Sequence, residues 1–95
     1  MAEYNIVIDT DGNPDPATLI CKSGDRITWT NKHPDPLVAF VVPTCVSPQT
    51  SPAPVPTGAT TGAYTVKSGV KGNFGYSYRW PTPNRDTRGG AIDVI

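Results

Sequence analysis

The chain has 95 residues, eight of them basic and eight acidic, for a formal net charge of zero. That length suits one small domain with a modest core, and the balanced charge excludes the basic footprint of a general nucleic-acid binder. No apolar run reaches the roughly 20 residues that cross a bilayer as a helix, and "MAEYNIVIDT" has neither the basic start nor the apolar centre of a signal peptide.

Eleven prolines and nine glycines punctuate the chain, with Val, Ile, Thr and aromatics between them. This is the composition of short strands joined by turns. "YNIVIDT" (Tyr4–Thr10) alternates, with Tyr4, Ile6 and Ile8 on one face, and "DGNPDP" ends it with turn residues. "ATLICKS" (Ala17–Ser23) is a second strand. Gly24–Asp25 turn the chain into "RITWTN" (Arg26–Asn31), where Ile27 and Trp29 share a face. "KHPDP" is a stiff loop, because Pro34 and Pro36 each fix φ and remove a donor. "LVAFVV" (Leu37–Val42) is apolar on both faces and reads as a buried strand.

Residues 43–62 hold five prolines and few large apolar side chains, and read as a Pro-rich surface excursion, a mobile connector with at most a short edge strand. "AYTVKSG" (Ala63–Gly69) resumes strand character. "NFGYSYRW" (Asn73–Trp80) puts Phe74, Tyr76, Tyr78 and Trp80 on one face and Gly75, Ser77 and Arg79 on the other. "AIDVI" closes with Ile92 and Val94 inward. About seven strands, no helical period and no internal repeat predict an all-β sandwich in a single domain, residues 1–95.

Two stretches narrow the sandwich further. "KSGDRITWTNKHPDPLVAF" carries a K-x-G-D turn, a strand ending W-x-N, and a Pro-rich loop before an apolar strand. "YSYRWPTPNRDTRGGAIDV" carries an aromatic strand, a Pro-rich turn, two glycines and an alternating strand. Together they resemble the cupredoxin (plastocyanin-like) family from Ile6 to Val94, with Tyr76, Tyr78, Gly90, Ile92 and Val94 on framework positions. The resemblance implies a Greek-key β-sandwich. An immunoglobulin-like domain shares the strand type but not this turn and this C-terminal strand together.

In that family a His, a Cys, a second His and a Met hold one copper ion, a donor set soft enough for both copper oxidation states. The resemblance puts Leu37, Trp80, Pro83 and Arg88 at those four positions. Leu and Pro offer no lone pair, an indole N–H only donates, and Arg has no acceptor. The resemblance therefore implies a member without its copper site and with no cofactor. It also favours a secreted or periplasmic location.

Other residues carry weaker expectations. Trp80 is either a core plug in the volume of the lost metal or an exposed ring that stacks on a sugar or a partner. His33, the only histidine, with Cys21, Cys45, Asp35 or Asp86, matches no compact metal motif. Cys21 and Cys45 are expected to form a disulfide worth about 3 kcal/mol, the alternative being two separate thiols. Arg79, Arg85 and Arg88 flank the loop with Asp86 among them, able to hold a carboxylate or simply solvated. "SGVKGNFG" lacks the helix that phosphate binding requires. No catalytic constellation stands out, so the expectation is a non-enzymatic binding module. Its expected partner is a protein meeting His33, Arg79, Trp80, Arg85 and Arg88. The two other readings are a carbohydrate-binding surface and an electron-transfer or metal-handling site of non-standard make.

Overall fold

The computed structural model describes residues 2–81 and 87–95. Along them run β1 (Glu3–Ile8), β2 (Pro14–Asp15), β3 (Thr18–Cys21), β4 (Arg26–Asn31), β5 (Val38–Val41), β6 (Val46–Ser47), β7 (Tyr64–Val66), β8 (Gly72–Arg79) and β9 (Arg88–Val94). They form two sheets, one ordered β2-β1-β4-β7-β6 and the other β3-β9-β8-β5. The chain repeatedly crosses between the sheets, so β1 pairs parallel with β4, and β3 parallel with β9. The expected all-β sandwich is thus present. The nine strands exceed the expected seven because β2 and β6 have two residues each, too short for alternation to announce.

Alternation sets the core. Ile6, Ile8, Ile27, Trp29, Tyr76, Tyr78, Ile92 and Val94 all turn between the sheets, as their strand positions require when side chains alternate. Trp29 is wholly buried and meets the edges of Phe40, Tyr64 and Tyr76 at ring-centroid distances of 5.2, 5.6 and 5.3 Å. Such edge-to-face contacts add to the apolar burial itself. Gly90 lies opposite Tyr76 in the β8–β9 ladder, and a Cβ there would come within 2.6 Å of both the Ala17 carbonyl and Tyr76 Oη.

Two expectations change. "LVAFVV" is not buried on both faces: β5 is the edge of its sheet, Ala39 is exposed, and Val41 is 60% exposed. Ala39 adopts a positive φ of 49°, where the ladder to β8 shifts register between Val38 and Val41. This bulge re-aims the strand and blunts an edge that would otherwise invite pairing.

Residues 43–62 are also better anchored than their composition suggests. Cys45, Val46 and Val55 are buried, β6 pairs with β7, and Val55 bridges Leu37. The Asn31 N–H donates to the Ala59 carbonyl at 2.9 Å, the Thr61 N–H to Trp29 at 2.8 Å, and Tyr64 Oη to Thr50 at 2.7 Å. The backbone bonds of β4 hold the excursion down without large side chains.

The K-x-G-D turn has a specific job. Gly24 takes φ +89°, a conformation costly for other residues, and Asp25 then accepts from the Lys22 N–H at 2.9 Å and the Ala2 N–H at 3.0 Å. One carboxylate thus closes the turn and ties the start of β1 beside β4. The two backbone bonds, Lys22 first and Ala2 second, lower its pKa from 3.8 against the opposing effect of burial. A carboxyl with a depressed folded pKa stabilises the fold above its unfolded value, and that contribution is lost as pH falls through the folded one. Asp25→Ala is expected to lower Tm at neutral pH. The gap to wild type should narrow as pH drops below 3.8. A thermal-melt series across acid pH reads this directly, and a gap constant with pH would show that the carboxylate charge is not responsible.

Candidate functional site

At one end of the sandwich the loop after β4, the turn after β1 and the end of β8 come together. Asn31, the last residue of β4, is fully buried. Its Nδ2 donates to the Asp35 carbonyl at 3.0 Å and the Val55 carbonyl at 2.9 Å, and its Oδ1 accepts from the His33 N–H at 2.9 Å. One amide therefore shapes the loop after β4 and binds it to the Pro-rich segment. The sequence reading does not name Asn31 as a site residue; its place at the end of "RITWTN", just before a loop with two prolines, is the available signal.

His33 is 4% exposed. Its Nδ1 accepts from the Asp35 N–H at 3.0 Å, which assigns the ring proton of the neutral form to Nε2. Its carbonyl accepts from Thr57 Oγ1 at 2.9 Å. The ring lies over Trp80, with centroids 4.6 Å apart and planes tilted by 38°.

Trp80 is 5% exposed and belongs to the core cluster. Alternation from Tyr76 and Tyr78 turns it inward, and Tyr78 meets it edge-on at 5.8 Å. Its other wall is Gly12, at φ +90°: a Cβ there would lie 2.5 Å from Trp80 Cη2 and 2.6 Å from Cζ2. Tyr78 Oη donates to the Gly12 carbonyl at 2.8 Å, so one turn both caps the indole and receives the phenol. Burial pushes the Tyr78 hydroxyl well above the ordinary phenol range, with the neighbouring Tyr76 and Asp9 adding to it.

Leu37 is wholly buried, and its N–H and carbonyl both bond Val55, at 3.0 and 2.9 Å. Arg88 opens β9 opposite Tyr78 and is half-buried, with Nη1 donating to Asn13 Oδ1 at 2.7 Å. Arg79 points outward and is exposed. Pro83, Arg85 and Asp86 lie outside the described residues. The structure thus gathers His33, Leu37, Trp80 and Arg88 at one end, but His33 and Trp80 sit beneath the surface. Arg79 is the openly exposed member of the expected binding surface among the described residues.

The expected disulfide is not formed: Cys21 and Cys45 are both buried free thiols. They come from different sheets, Cys21 ending β3 and Cys45 preceding β6, and each fills core volume as a small apolar residue. Burial raises the Cys21 thiol to about 11, with Asp25 adding to it, and burial likewise raises Cys45. Among the described residues no three His, Cys, Asp or Glu side chains come together in a metal-binding group.

No family model matches the chain, and no curated protein does. Solved structures do. A methionine-to-alanine mutant of amicyanin in its Cu(I) form matches with a TM-score of 0.68 at 18% identity, over 98% of this chain and 82% of that one. The corresponding methionine-to-glutamine mutant matches at 0.67 and 19%, with the same coverage. A pseudoazurin from Sinorhizobium meliltoi matches at 0.52 and 20%, over 100% of this chain and 75% of its own. The fold is cupredoxin-like. At these identities the likeness carries architecture and nothing more specific. Within that cupredoxin-like fold, the loop end is packed with an indole, an imidazole and a leucine side chain.

Two measurements check this packing. Gly12→Ala is expected to cost about 1–3 kcal/mol, from a strained φ and a methyl driven into the indole. In a Trp29→Phe background it should also shift Trp80 emission to the red; unchanged stability and emission would refute the contact. A thiol reagent is expected to modify Cys21 and Cys45 slowly in the native chain and quickly on unfolding, because a buried protonated thiol is a poor nucleophile. Rapid labelling of the native chain would contradict their burial.

Proposed function

We propose that the chain is a non-enzymatic, copper-free module that works by binding another protein at the end of the sandwich carrying Trp80. The carrying observation is the chemistry of that end. Leu37, Trp80 and Arg88, at positions where the resemblance expects metal ligands, provide no lone pair suited to copper. His33 is the nearest imidazole, and its Nδ1 already accepts from Asp35. The thiols of Cys21 and Cys45 are buried and protonated. The described residues therefore do not fit a type 1 copper ion, which needs a thiolate and two imidazoles in one plane.

Protein contact is the use that remains best supported. Indole, imidazole and leucine make that end self-supporting without a metal, while Arg79 on the outward face offers planar, bidentate recognition of a carboxylate. The carbohydrate reading loses its support, because a sugar-stacking platform needs an open aromatic face and Trp80, Tyr76 and Tyr78 are all buried.

Titration with Cu(II) and Cu(I), followed by absorption spectroscopy and calorimetry, is expected to give no intense thiolate–copper band and no stoichiometric binding. A strong band at one equivalent would overturn the copper-free reading. For the partner, crosslinking in an extract of the native source should give a specific adduct that Arg79→Glu weakens. An adduct indifferent to that charge reversal would move the contact elsewhere.

A further inference from the structure

Short strands, bulges and charged side chains are the usual means of stopping one sheet from adding to another. Most edges of this sandwich carry one of them. β2 and β6 are two residues long, and the Val46 carbonyl of β6 accepts from Gln49 Nε2. β5 is broken by the bulge at Ala39. The length of β1 that β2 leaves uncovered carries the exposed Glu3.

β3 has none of these. Its sequence is TLIC, without proline, charge or bulge, and it runs in register with β9 over its whole length. The Ala17 and Cys21 carbonyls accept from the Ala91 and Ile95 N–H groups, both at 3.0 Å. Backbone groups alternate sides along a strand, so those of Thr18 and Ile20 point off the sheet. No hydrogen bond reaches them from the described residues. Beside them Ile20 and Ile95 are 58% and 59% exposed and line one groove with Tyr4.

We propose that β3 pairs antiparallel with β3 of a second copy across a two-fold axis, joining two four-stranded sheets edge to edge. The open backbone groups set the register. Thr18 of each copy stands opposite Ile20 of the other and exchanges an N–H···O=C bond with it in each direction, while Leu19 faces Leu19. Charge selects a second copy as the partner. In the same register Lys22 of one chain reaches the Asp15–Pro16 turn of the other, and the two-fold repeats the contact. Lys22 and Asp15 are both exposed and opposite in sign. The chain has no formal net charge to hold copies apart. Pairing also ends growth, because the edge left on each joined sheet is the bulged β5. A ladder this short buries less than the roughly 1,200 Å² of a stable interface, so the dimer forms with rising concentration and dissociates on dilution. β3 and β5 are opposite edges of their sheet, with β8 beside β5, so the dimer leaves Arg79 free and does not rest on the function proposed above.

Sedimentation velocity on the intact chain, from micromolar to near-millimolar concentration, tests this. The weight-average mass is expected to rise from that of one chain towards twice that and no further. Ile20→Lys should abolish the rise, with thermal melting to confirm the fold. Lys22→Glu should weaken the dimer about five-fold, a modest effect because exposed ion pairs contribute little, and adding Asp15→Lys should restore it. Val41→Lys, on the β5 edge, should change nothing. A monomer throughout the range, growth beyond the dimer, a dimer that survives Ile20→Lys, loss of the dimer in Val41→Lys, or a Lys22→Glu variant that is unaffected or not rescued by Asp15→Lys would each overturn the proposal.

Discussion

Trp29 is the residue on which the two sheets converge. It sits on β4 in one sheet and is met edge-on by Phe40 and Tyr76 from the other and by Tyr64 from β7 beside it. A domain this small buries a limited fraction of its surface, so a few large rings carry much of its cohesion. Because those rings meet steeply, at 66–73°, rather than sliding past one another, the position of β8 relative to β4 is set at the centre. The direction in which the end of β8 points follows from it.

That direction brings Trp80 under the turn after β1. Gly12 at φ +90° and the carbonyl that accepts from Tyr78 form a lid over the indole that no side-chain-bearing residue could make without displacing the ring. On the opposite side Asn31 spends both Nδ2 protons and its Oδ1 on backbone groups, and the loop it shapes lays the His33 ring over Trp80 at a 38° tilt. A buried amide satisfied in this way specifies one loop shape, where a partly satisfied one would only cost stability. The loop end is held by packing and by two backbone-directed networks, and neither depends on an ion.

The part of this that was legible in the sequence is the part with a period. Alternation places Ile6, Trp29, Tyr78 and Trp80 inward, and turn residues separate the longer strands. What escapes is whatever depends on a partner distant along the chain. Whether Trp80 is a plug or an exposed ring depends on Gly12, and nothing in "YSYRW" reports where Gly12 will be. The anchoring of residues 43–62 runs through backbone groups of β4, which composition cannot show. The bulge at Ala39 turns an apolar hexapeptide into a half-exposed edge, and Val41 gives no local warning of it. The cysteine pair illustrates the same gap: two cysteines suggest a staple, yet here each is packed as an apolar residue in a core that already has its aromatic centre.

A metal centre and an aromatic plug answer the same mechanical problem, which is how to close one end of a β-sandwich around converging loops. A metal does so through directed bonds and requires lone pairs aimed at one point. An indole does so through area and requires only neighbours that come close to its ring, which Gly12, without a Cβ, and the His33 ring provide. Trp80 Nε1 is buried without a hydrogen-bond partner, a cost of about 1–3 kcal/mol that the plug sets against the area its ring buries.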